Sequence, residues 1–183
     1  MAAWRFGPDR DTCQPGLVAS TEPQLPIKAR RYSSGLLAYR HGPDGVEVLL
    51  GHMGGPMWSK RDDAAWSIPK GGYDADEDAF DAARREFVEE VGLPAPEGSF
   101  LPLGEVLQTN NKVVTAWAVE APQLDAAAAV SNTFELEWPP HSGRRQAFPE
   151  FDVIRWVDVD TARTKLVAAQ VAYLDRLLAL IDA

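Results

Sequence analysis

At 183 residues the chain suits one domain, long enough to bury roughly 70% of its unfolded surface. Its 45% hydrophobic and 25% charged content is ordinary for a globular protein. A net charge of −9 argues against a general nucleic-acid binder but not against a nucleotide, whose charge metal ions and a local basic rim can meet. Cys13 is the one cysteine, which leaves no intrachain disulfide and no cysteine metal site. No signal peptide and no apolar run of membrane-spanning length is evident, so no membrane is expected as a partner and the cytoplasm is the expected location.

Residues 1–29 carry Pro8, Pro15, Pro23 and Pro26 and no sustained periodicity; they are expected to form an extended or flexible arm, with Trp4 and Phe6 as candidate anchors. The domain is expected over 30–183. Arg31 to Arg40 and Val46 to His52 read as two strands around the turn signal His41-Gly42-Pro43-Asp44-Gly45. A Gly-rich loop from Met53 to Asp63 holds Trp58, Lys60 and Arg61, and Trp66 to Pro69 is a short strand leading into Lys70. Further on, Phe100 to Thr109 and Val113 to Glu120 flank Asn110-Asn111-Lys112 as a second hairpin. Asp125 to Val130 suits a short helix or a linker. Phe134, Leu136 and Trp138 alternate as a half-buried strand that Pro139-Pro140 stops, followed by a loop through Glu150. Val153 to Val159 is a strand. One closing helix is expected after it, capped by Asp160 or Thr161 and burying Val167, Val171, Leu174, Leu178 and Ile181. Strands on both sides of a central helix, with a closing helix, suit a mixed sheet between helices, an α/β fold.

The central helix carries the chemistry. Phe80, Ala83, Phe87 and Val91 recur at helical spacing, Asp76 or Asp78 can cap the start, and Gly92 can end it in the left-handed conformation. Its other face carries Glu86, Glu89 and Glu90, which spacings of three and four bring together on neighbouring turns. Three carboxylates this close repel one another unless a cation intervenes. Mg²⁺ suits them, since it takes oxygen ligands and shares itself between carboxylates and substrate phosphates. A solvated acidic face is the plainer alternative for an isolated E-x-x-E-E.

The surroundings favour the metal. Gly71, Glu77, Arg85, Glu86, Phe87, Glu89, Glu90, Gly92 and Leu93 fit G-x5-E-x7-R-E-U-x-E-E-x-G-U, with U apolar, at every fixed position. This stretch resembles the Nudix box of the Nudix hydrolase family, which cleaves nucleoside diphosphates linked to another group. Asp76 departs from the glycine that many members place before the first glutamate. The resemblance implies an α/β/α sandwich with a mixed sheet and a Mg²⁺-dependent pyrophosphohydrolase, with Mn²⁺ as a substitute. It makes Glu86 and Glu90 metal ligands, and Glu89 a third ligand or the base. It draws a loop carbonyl of Lys70 or Gly71 to the metal, and pairs Arg85 with Glu77 as a structural tie. Glu150, six residues before Trp156 in a loop ahead of a late strand, is a candidate base or further ligand.

Lys60, Arg61, Lys70, Arg144 and Arg145 are candidate phosphate contacts, and Trp58 or Tyr32 could stack on a base, although each has an ordinary surface or core role as its alternative. His52 and His141 lack a partner at metal spacing. W-S-I-P-K-G, Trp66 to Gly71, resembles the box entrance of members that cleave dinucleoside polyphosphates or nucleoside triphosphates. S-N-T-F-E-L-E-W-P-P with its S-G-R-R and F-P-E continuation resembles an uncharacterised bacterial group of predicted NTP pyrophosphohydrolases. The family's NADH and coenzyme A signatures are absent, the ADP-ribose proline would fall near Gln108, and the tyrosine of some dinucleoside polyphosphate cleavers would fall near Asn110. A nucleoside triphosphate or dinucleoside polyphosphate is therefore the expected substrate and ADP-ribose the alternative; no nucleic-acid polymer is expected. A Nudix-fold module that binds nucleotides without cleaving them is the alternative of another class.

Overall fold

The computed structural model describes residues 31–182; the arm expected over 1–29 lies outside them. β1 (Arg31–Gly42) and β2 (Gly45–Met53) form the first hairpin, with Gly42 opposite Gly45 at the turn. β9 (Phe151–Asp158) occupies the other edge of β2. β6 (Lys112–Glu120) runs parallel to β1 from the Arg31–Lys112 pair to Tyr39–Glu120, and β5 (Phe100–Gln108) closes that side antiparallel to β6. The β1–β2 hairpin opens at its far end, and the chain from Trp66 to Gly72 fills the fork. There β3 (Trp66–Ser67) pairs with β2, and β4 (Lys70–Gly72) pairs with β1. These seven strands make one mixed sheet.

Both faces of the sheet are covered, which explains the near-continuous apolar run in β1. Leu36 and Ala38 point to one face, where α1 (Ala79–Val91) buries Ala83, Phe87 and Val91. Leu37 and Tyr39 point to the other, under α2 (Val159–Lys165) and α3 (Val171–Ile181), which bury Ala162, Tyr173, Leu174 and Leu177. The Tyr173 hydroxyl donates to the Val114 carbonyl at 2.6 Å and Arg176 donates to the Leu103 carbonyl at 2.6 Å, fixing α3 across β5 and β6. The α/β/α sandwich is thus the observed architecture.

Three local expectations need correction. The chain closes on two helices, and the cap of the first is Asp158, whose carboxylate accepts from the Thr161 amide at 2.8 Å. Neither Asp160 nor Thr161 can cap, because the helix already begins at Val159. The buried stripe of α3 is centred on Tyr173, Leu174 and Leu177, while Leu178 is half-buried and Val167 precedes the helix, at the start of a 3₁₀ turn. The stretch read as a loop before Glu150 contains β8 (Arg145–Pro149), which pairs with β7 (Thr133–Glu137) as a separate two-stranded sheet. Exposed Arg145, Gln146 and Ala147 carry no apolar alternation, so pairing with β7, not sequence period, makes that strand. No helix among the described residues is long and apolar enough to cross a membrane.

Candidate active site

α1 begins where Asp78 accepts hydrogen bonds from the amides of Phe80 (2.8 Å) and Asp81 (3.1 Å), and it ends at Gly92 with φ of 72°. That left-handed conformation suits glycine, and the Gly92 amide closes the last turn on the Val88 carbonyl. With Phe87 locked into the core, Glu86 and Glu90 are turned toward β4 and are themselves buried, while Glu89 stays exposed. The helix therefore divides its three carboxylates into a buried pair and an outer one.

The buried pair is held from the β4 side. Glu90 accepts a hydrogen bond from the Lys70 amide at 2.8 Å. The Glu86 carboxylate lies against Gly71 so closely that a Cβ there would collide with it, which is the reason a residue without a side chain stands at the start of the box. Arg85 ties the group together. It clasps both Glu77 oxygens at 2.8 and 2.9 Å, donates to Glu86 at 2.7 Å, reaches Glu89 at 3.3 Å and donates to the Gly72 carbonyl at 3.2 Å. The Arg85–Glu77 pair thus joins the loop after β4 to the helix, and the Arg85 hydrogen bond holds the Glu77 carboxyl below its ordinary range.

Burial pushes the Glu90 carboxyl up to about 7, with the charges of Glu150 and Glu86 adding to the rise against Lys70. Burial also raises Glu86, with Arg85 opposing. Two buried carboxylates on adjacent turns, each resisting ionisation, are the donor chemistry that a hard cation satisfies. Among the described residues no three His, Cys, Asp or Glu side chains gather closely enough to enclose an ion. The arrangement accordingly fits a cation that takes two carboxylates and completes its shell from backbone, water and phosphate, and not a protein-enclosed site.

Glu150 precedes β9 in this same neighbourhood, since its charge reaches Glu90. Its backbone is pinned on both sides, the amide to the Asn132 carbonyl at 2.9 Å and the carbonyl to the Gly54 amide at 2.8 Å. Lys70 opens β4 and lines a cavity of about 300 Å³ with Met53, Trp58, Ser67, Gln108 and Lys112. A larger polar cavity of about 750 Å³ lies beyond, bounded by Arg31, Tyr32, Tyr73, Glu77 and Arg85, and Lys112 lines both.

Sequence reasoning treats Lys112 as a turn residue and misses it; the one signal that could find it is a lysine opening an otherwise apolar strand. Desolvation pushes its amine down to about 8, with Lys70 and Arg31 adding to the fall and Glu90 and Glu86 opposing it. No described residue gives the ammonium of Lys70 or Lys112 a hydrogen bond or ion pair.

The remaining candidates are dispersed. Lys60 and Arg61 are exposed in the loop after β2, with the Arg61 guanidinium 5.2 Å from the centre of the Trp58 ring. Arg144 and Arg145 stand at the exposed end of the β7–β8 hairpin, where Arg145 pairs with Glu135 at 3.0 Å. The ladder runs from Thr133–Pro149 to Glu137–Arg145, so that end lies about 13 Å farther along than the end beside Glu150. The ladder therefore sets these arginines apart from Glu150. Tyr32 faces Tyr73 at 6.5 Å in the polar cavity, while His141 is exposed in the β7–β8 turn. His52 is fully engaged, 2.6 Å from an Asp152 oxygen and 2.7 Å from the Arg61 carbonyl, and so braces the loop to β9.

A model of the NUDIX domain matches residues 32–177. The chain is 32% identical over 154 residues to an RNA pyrophosphohydrolase of Rhodospirillum rubrum, covering 76% of this chain and 81% of that protein. Among solved structures, an Ap4A hydrolase from C. elegans in a binary complex superposes with a TM-score of 0.59 at 21% identity, covering 82% of this chain and 98% of the other. The NUDIX domain of Shewanella oneidensis NrtR in complex with ADP ribose does so with a TM-score of 0.58 at 13% identity, covering 89% and 95%. These two likenesses carry the fold, whereas the domain match and the curated relative carry the family and set aside the binding-only alternative. With every box position filled and the box carboxylates folded against β4, the chain belongs to the Nudix hydrolase family.

Proposed function

We propose that the protein is a divalent-metal-dependent pyrophosphohydrolase whose substrate is a nucleoside polyphosphate, either a nucleoside triphosphate or a dinucleoside polyphosphate. The observation that carries this reading is the pairing of opposites at one end of the sheet. Buried Glu86 and Glu90 lie beside Lys70, which with Lys112 lines a cavity, and neither ammonium makes a hydrogen bond or ion pair with a described residue. A chain of phosphates bridged by a cation to the carboxylates would satisfy both sets at once.

Glu86, Glu90 and a carbonyl of Lys70 or Gly71 would hold Mg²⁺, or Mn²⁺ in its place, which supplies positive charge for the phosphates and makes a coordinated water more acidic. The protein's own groups do the rest. Arg85 keeps Glu86 turned to the metal side, and the Lys70 amide orients Glu90. Glu150, whose charge reaches Glu90, would take a proton from the attacking water, with Glu89 the alternative base or third ligand. Glu150→Gln is expected to lower kcat by roughly 100-fold or more with KM little changed, within the range for loss of a general base; an unchanged kcat would make Glu150 a bystander.

The curated relative's activity on RNA supports a second reading, a 5′-terminal triphosphate on an RNA chain. Net charge of −9 disfavours contacts beyond the first nucleotides. The deciding experiment is a panel of ATP, diadenosine tetraphosphate, 5′-triphosphorylated RNA and ADP-ribose with Mg²⁺, products resolved by chromatography. ATP or diadenosine tetraphosphate is expected to turn over fastest, and chelator to abolish all turnover. Faster cleavage of ADP-ribose, or full rates in excess chelator, would overturn the reading.

A further inference from the structure

Between β3 and β4 the chain crosses from β2 to β1, and the crossing needs partners that neither strand supplies. Trp66 and Ser67 pair with β2, whereas Lys70 begins the pairing with β1. Of the two residues between, Pro69 has no amide proton, and its carbonyl accepts from the Leu36 amide at 3.1 Å. Ile68 is fully buried, and a buried amide without an acceptor is costly. Its acceptor is a side chain 102 residues away, the Gln170 Oε1 at 2.9 Å. Gln170 is also fully buried and ends the 3₁₀ turn ahead of α3. Its Nε2 donates to the Ser67 hydroxyl at 3.0 Å, which in turn donates to the Ile68 carbonyl at 2.8 Å. The segment that carries Gln170 is itself stitched to β3, because the Val167 amide donates to the Trp66 carbonyl at 2.9 Å. One glutamine thus stands in for the neighbouring strand that the crossing lacks.

What the crossing controls lies on the opposite face of the sheet. Two residues after Ile68 the Lys70 amide donates to Glu90, and the next residue, Gly71, lies against the Glu86 carboxylate. Pro69, with its fixed φ, is the one link between, so a shift of Ile68 passes to Lys70 with little slack. We propose, on the reading of Glu86 and Glu90 as metal ligands, that Gln170 is a positioning residue for the metal site. By fixing Ser67 and Ile68 from the α2–α3 side, it keeps the Lys70 amide on Glu90 and the Gly71 backbone beside Glu86. Metal ligands depend on the groups that orient them, and here that support begins in the layer that does not carry them. A glutamine that merely filled the core could be exchanged for methionine, of similar length and volume. At this position methionine removes the Ile68 acceptor and frees the crossing.

The test compares full-length wild type, Gln170→Met and Tyr173→Phe by two measurements made without nucleotide. One is hydrogen exchange of the Lys70 amide in metal-free protein, read against the β6 amides; the other is Mn²⁺ binding followed by electron paramagnetic resonance. Tyr173→Phe is the control, since it removes a buried hydrogen bond from the same layer without touching the crossing. Gln170→Met is expected to speed Lys70 exchange by about tenfold relative to β6 and to weaken Mn²⁺ by about tenfold. Tyr173→Phe is expected to lower the melting temperature and to change neither. Ser67→Ala removes only the hydroxyl between Gln170 and the Ile68 carbonyl. It should show both changes at about threefold, and it decides the matter if Gln170→Met does not fold. Wild type that binds no Mn²⁺ would sink the metal reading itself. Mn²⁺ binding that survives Gln170→Met at full strength, with or without faster Lys70 exchange, would sink the positioning role alone. So would an equal loss of Mn²⁺ affinity in Tyr173→Phe, because general loosening of the layer would then explain both.

Discussion

Lys70 and Lys112 lie far apart in the chain yet line one cavity beside the buried Glu86 and Glu90, while Arg144 and Arg145 are sequence neighbours at the exposed end of a hairpin. The first pair sits where solvent is partly excluded and makes no ion pair with a described residue; in the second, Arg145 already pairs with Glu135 and both partners are well exposed. Coulomb attraction scales inversely with the local dielectric, so an unpaired amine in a cavity attracts phosphate far more strongly than a solvated guanidinium does. The density of basic residues along a sequence is therefore a poor guide to a phosphate site, and burial without a partner is a better one.

The strongest way to break the contrast is at the carboxylates that give the buried end its purpose. Glu90→Gln keeps the shape and the bond from the Lys70 amide but removes the charge. Turnover is expected to fall by roughly a thousandfold or more, equivalent to about 4 kcal/mol of barrier. Stability should move the other way. The Glu90 carboxyl is held at about 7 when folded, against about 4.3 for an unperturbed glutamate, so between those values the folded chain binds more protons than the unfolded one. Metal-free wild type therefore loses stability as pH rises through that window, by an amount on the order of 3–4 kcal/mol. Glu90→Gln escapes the loss. Denaturant melts in chelator at pH 4 and pH 8 should show the two proteins level at the lower pH and the variant ahead at the higher. An equal gap at both values would remove Glu90 from its buried, charge-resisting position.

A smaller effect is expected at Gly71. Alanine there would push the Glu86 carboxylate aside, and because that carboxylate is the free end of a flexible side chain, the fold can accommodate the change. Gly71→Ala should lower kcat by roughly 100-fold, the cost of displacing a functional group by about an ångström, with the melting temperature within a few degrees of wild type. A collapse of stability with activity per folded molecule intact would show that Gly71 serves the fold and not the site.

The smallest effect belongs to the hairpin. Charge reversal at Arg144 and Arg145 together should change KM for ATP or diadenosine tetraphosphate by less than about twofold and stability by less than about 1 kcal/mol, as for exposed ion pairs. A tenfold loss confined to the longer polyphosphate would bring the hairpin into the site and erase the contrast.

Local sequence determined a large part of this protein. The period of Phe80, Ala83, Phe87 and Val91, the Asp78 cap and the Gly92 stop define α1 without help from distant residues, because helix bonds and caps are made within a few positions of each other. The same stretch carries its own tie, Arg85 to Glu77, and the carboxylates that face β4. Turn residues likewise announced both main hairpins. Tertiary structure alone decided the rest. The parallel pairing of β1 with β6 brings Lys112 beside Arg31, and the fork between β1 and β2 admits β4 and sets Lys70 against Glu90. The pairing of β7 with β8 puts Arg144 and Arg145 at the far end of that hairpin from Glu150, and the 3₁₀ turn ahead of α3 brings Ala168 and Ala169 into the wall of the cavity that Lys70 and Lys112 line. Each of these depends on contacts between residues remote in sequence, and whether a charge ends up buried and unpaired is a property of everything that surrounds it.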